Sequence, residues 1–168
     1  MKTVFALFSD IQTAQEAVDN ILQAGFAEEQ MNAIAQEVIA KELEITDTKT
    51  MVLKTDQLGK KAIQGLPSLF IGKKGINISD VGRVLASGTI AVELAGTASI
   101  HSHGGLKLVL EQFNIPQNIA NTYTSGLKAG GVLFCLRIED KRQGETIQLL
   151  IGNKGIQVYS VQQSTPSI

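Results

Sequence analysis

Two stretches of this chain, 130 residues apart, read as copies of one strand–helix–strand unit. Shifted by that offset, Val4, Ala6, Phe8 and Asp10 fall on Phe134, Leu136, Ile138 and Asp140. Ile21, Gly25 and Phe26 then fall on Ile151, Gly155 and Ile156 without a gap. A repeat of this kind says how the chain is built. Two βαβ halves should close into one sheet around a pseudo-two-fold axis. It does not say what chemistry the protein performs.

Local signals fill in the two copies. Thr3–Phe8 is a continuous β-prone run, Asp10 is placed to cap a helix, and Thr13 with Glu16 offers a capping box just inside it. Ala14, Ala17, Val18, Ile21 and Leu22 follow at the 3.6-residue period, and Gly25 stops the helix. Phe26 and Met31–Ile39 begin the return strand. In the second copy Val132–Ile138 is the strand, Asp140 the cap, Ile147, Leu150 and Ile151 the buried stripe, Gly155 the stop and Ile156–Val161 the last strand. Gln162–Ile168 reads as a frayed polar tail.

Two helices are expected before the second copy. One covers Gly105–Phe113 through Leu106, Val109, Leu110 and Phe113; the other opens at Pro116 and runs through Ile119, Tyr123 and Leu127 to the Gly130-Gly131 break. The middle is less regular. Leu43–Lys54 is polar and alternating, Thr55–Leu66 fits a short helix interrupted by Pro67, and Gly72–Gly105 is rich in small and β-branched residues.

The two core strands constrain the layers. Val4-Phe5-Ala6-Leu7-Phe8 and Val132-Leu133-Phe134-Cys135-Leu136 are apolar at successive positions rather than alternating ones. In a two-layer sandwich the helices cover one face only, so these strands need a second cover. Either the middle insert or another subunit supplies it.

Composition removes several function classes. Lys and Arg number 15 against 16 Asp and Glu, so bulk charge gives no drive toward nucleic acid or an anionic membrane. Trp is absent and aromatic residues are 5% of the chain, which leaves little for a sugar- or base-stacking platform. The single Cys135 permits no internal disulfide and fits a reducing, cytoplasmic compartment. The only stretch of membrane length, Val84–Leu106, contains Glu93, His101 and His103, and a mid-span carboxylate costs roughly 3 kcal/mol on insertion scales, so it reads as non-spanning.

Three constellations could carry chemistry. Gly72-Lys73-Lys74-Gly75, within Ile71–Ile78, resembles the Ile-Gly-x-x-Gly loop of KH domains, which clamps a nucleic-acid backbone between two helices; the bland alternative is a basic turn. His101 and His103 present two imidazoles on one side of an extended segment, half of a metal site, with Glu93 or another subunit as the source of a third ligand. Asp10 and Asp140 occupy equivalent strand-to-helix corners, where helix capping accounts for both. No Gly-x-Ser-x-Gly elbow, Walker loop or dinucleotide fingerprint occurs.

Several strings together resemble the bacterial heat-induced or general stress protein family. They are Val4–Phe8 with Ala14–Phe26, then Val81-Gly82-Arg83-Val84-Leu85-Ala86-Ser87-Gly88, then Gly104–Arg137 with Ile115-Pro116 and Leu127-Lys128-Ala129-Gly130-Gly131-Val132-Leu133. The resemblance implies a stress-associated bacterial protein with no agreed activity and no catalytic residues to carry over. Many such proteins have a Gly/Ala zipper hairpin suited to membrane association, a stretch that is degenerate here.

The expectation is therefore an α+β, ferredoxin-like sandwich from two βαβ halves with a central insert. Residues 1–40 form the first half, 41–104 the Gly-rich insert, and 105–168 two helices and the second half. A non-enzymatic, cytoplasmic, stress-associated protein acting by self-association, as a homo-oligomer such as a dimer, or by partner binding is the first functional reading, with no cofactor. A small-molecule or metal site at the insert–sheet junction near His101 and His103 is the alternative, and a KH-like nucleic-acid module through Gly72–Gly75 is a further one.

Overall fold

The two doubly apolar runs become the centre of the sheet. In the computed structural model, which describes residues 1–42, 65–100 and 105–162, β1 (Lys2–Phe8) and β5 (Val132–Ile138) are antiparallel neighbours. Phe5 pairs with Cys135, its own repeat equivalent, which puts the pseudo-two-fold axis at that pair. β6 (Ile156–Gln162) lies on the far side of β1, and β2 (Met31–Gln36) on the far side of β5. Beyond β2 come β4 (Gly82–Ser87) and β3 (Ile76–Ile78), so the order is β3-β4-β2-β5-β1-β6 and every pairing is antiparallel. The fold is mixed α and β, with six strands and seven α-helices among the described residues.

Alternation along β1 sorts its side chains between two cores. Val4, Ala6 and Phe8 pack with α1 (Ile11–Gln23), with Ala40 of α2 (residues 37–42), with α3 (Leu66–Phe70) and with Leu150 of α7 (Gln143–Gly152). Phe5 and Leu7 point the other way, toward α4 (Thr89–Ile100), α5 (Gly105–Gln112) and α6 (Gln117–Lys128). The second cover that the strands demanded thus comes from the chain itself, and the result is three layers. Phe5 anchors that face, edge-on to Phe113 at 5.8 Å between ring centroids and stacked on Tyr123 at 6.1 Å.

The helices of the second face are capped from a distance. Asn32, a buried residue of β2, accepts the Ile90 and Ala91 N–H groups at 2.9 and 3.1 Å and so closes the start of α4. Asp80, in the turn between β3 and β4, does the same for α5 through the Leu106 and Lys107 N–H groups at 2.8 and 3.1 Å. Gly88 precedes α4 at φ +98°, and a Cβ there would collide with Asn32 and stand 2.5 Å from the Met31 carbonyl oxygen.

Several local expectations change. The return strand stops at Gln36, because residues 37–42 are helix-forming and carry a Glu37–Lys41 pair one turn apart at 4.0 Å. Pro67 opens α3 instead of interrupting it, as a proline in a first turn can. Asp10 caps α1 through the Thr13 N–H at 2.8 Å, whereas Asp140 lies in a 3₁₀ turn (Asp140–Arg142) and pairs with the Met1 amino group at 3.1 Å. α7 begins only at Gln143. Both helices end in a Schellman motif, with the Phe26 N–H on Ile21 and the Gly155 N–H on Leu150, one residue out of the strand offset. Lys154 rather than Gly155 therefore takes the left-handed position, at φ +71°.

Within Val84–Leu106, β4 ends at Ser87 and α4 has 12 residues, spanning about 18 Å at 1.5 Å per residue. No described helix is long and apolar enough to cross a membrane.

Candidate functional site

The Gly72–Gly75 loop lies on the surface between α3 and β3. Lys73 and Lys74 are exposed, and Gly72 takes φ +74°. A KH loop joins two helices, but this one runs from a five-residue helix into a three-residue edge strand. Beside it Arg83 binds Glu37 at 3.1 Å, and a Cβ on Gly75 would strike both side chains. The loop is a basic turn at one rim of the sheet.

His101 and His103 lie outside the described residues. Next to them in sequence, α4 and α5 enclose an open groove of about 190 Å³ lined by Glu93, Leu94, Thr97, Val109, Gln112 and Phe113. Among the described residues no three His, Cys, Asp or Glu side chains converge as a metal site would require. Cys135 is buried at the centre of β5, where desolvation pushes its thiol well above the ordinary range and disfavours the nucleophilic thiolate. Asp10 is held below the usual carboxylate range, chiefly by the Thr13 N–H, as a cap is. Asp140 faces the amino terminus instead, so the two aspartates form no pair of matched caps.

The feature that sequence reasoning passed over is the other rim of the sheet. β6 pairs with β1 on one side, and no described strand pairs with its other side. Its seven residues, Ile156 to Gln162, carry no charge and no proline. Ile156 is 41% exposed and Ile151, at the end of α7, is 52% exposed. Ile147, Leu149 and Val158 are only partly buried around them. On the opposite face the buried Tyr123 hydroxyl donates to the Gln157 carbonyl and ties α6 to the strand, and burial pushes this phenol far above its usual pKa. Gln157 has φ +51° and sits where the β1–β6 register slips, a bulge between the pairings of Phe5 and Leu7.

The two rims are treated differently. β3 is three residues long, is entered through Lys73 and Lys74, and has Arg83 opposite Asn77. Short length and flanking cations are the usual protection of an edge strand against pairing with another chain. β6 is seven residues long and holds no charge within the strand. The signal was available in the sequence as an uncharged β-prone heptad beside an apolar helix end, but only the strand order shows that it is an edge. Compared with known families, with curated proteins and with solved structures, the chain matches none.

Proposed function

We propose that this chain is a non-enzymatic, stress-associated bacterial protein of the cytoplasm that works by association through the β6 rim of its sheet. The observation that carries the reading is the contrast between a three-residue rim at β3 with Arg83 opposite it and a seven-residue rim at β6 that holds no charge within the strand, with Ile156 exposed on it and Ile151 exposed beside it. The stress association rests on the resemblance of Val4–Phe26, Val81–Gly88 and Gly104–Arg137 to the general stress proteins. The compartment is supported by the lone, buried Cys135. We infer further that β6-β1-β5-β2 with α1 and α7 is a ferredoxin-like core to which the β3–β4 hairpin and α4–α6 are added; the strand order and the one-sided placement of α1 and α7 support this.

The test is photo-crosslinking in living cells, with a photoreactive amino acid placed at position 156 and, as a control, at position 73. Adducts from 156 but not from 73 support the reading; no adduct from 156 overturns it. Native mass spectrometry of the purified chain examines the alternatives. A retained metal lost on His101→Ala with His103→Ala would replace this reading with the metal one. Salt-dependent RNA or DNA binding abolished by Lys73→Asp with Lys74→Asp would replace it with the nucleic-acid one.

A further inference from the structure

We draw no further inference here: the strongest candidate, the outer edge of β6 that no described strand pairs, with Ile156 exposed on it and Ile151 beside it, belongs to the surface already proposed for association, and nothing in the structure shows what covers it.

Discussion

Replacing Asn32 by alanine should be the most damaging single change at a polar position, because one side-chain oxygen closes the helix that seals the second face. Asn32 is 4% exposed, and its Oδ1 accepts two α4 amides, Ile90 at 2.9 Å and Ala91 at 3.1 Å. Losing a helix cap costs about 1–2 kcal/mol. Here both orphaned amides lie beneath packed residues, and leaving a buried donor unsatisfied costs about 1–3 kcal/mol, so the total should be about 2–4 kcal/mol. Against a total stability of about 5–15 kcal/mol that is a large share. The assay is urea denaturation followed by far-UV circular dichroism, since the chain has no Trp. Residue-level hydrogen exchange on the same variant should show the Ile90 and Ala91 amides opening before the amides of β1. A loss below about 0.5 kcal/mol, the range of ordinary surface substitutions, would refute the reasoning by showing that α4 does not depend on this cap.

Three further outcomes follow from other contacts. Asp80→Ala removes both acceptors of the Leu106 and Lys107 amides and should cost about 1–2 kcal/mol in the same assay, with Asp80→Asn losing less because one acceptor remains. Asp10 has a folded pKa below its unfolded value, owing first to the Thr13 N–H, so its stabilisation is present above the unfolded carboxylate range and fades as pH falls through the folded pKa. Asp10→Ala should therefore cost about 1 kcal/mol near neutrality and much less in strong acid, a convergence that paired denaturation curves at pH 7 and pH 2 would reveal. Tyr123→Phe deletes the bond to the Gln157 carbonyl and should cost about 1–2 kcal/mol, with amide exchange in β6 accelerated more than in β5; equal acceleration in both strands would count against that bond as the tie of the rim.

How much was legible in advance differs between the copies and the middle. The 130-residue repeat showed where β1, β5, α1 and α7 lie, because strand and helix periods are local and survive in Val4–Phe8, Ala14–Ile21 and Val132–Ile138. The start of α7 was misplaced because Asp140 found the Met1 amino group, a partner nearly the whole chain away. Residues 37–39 read as the end of the return strand because Val38 and Ile39 are β-branched, yet Glu37, Ala40, Lys41 and Glu42 carry them into a helix.

The sequence by itself determined that two βαβ halves exist and that their strands require cover on both faces. It did so because apolar residues at successive strand positions can be satisfied in no two-layer arrangement. Only the tertiary structure decided what the cover is: α4, α5 and α6 of the same chain, held by Asn32 and Asp80 across long stretches of sequence. Only the strand order made Ile156–Gln162 a rim and Val132–Ile138 a centre, although both are β-prone. Pairing partners are set by contacts remote in sequence, and an edge is defined by the neighbour a strand does not have.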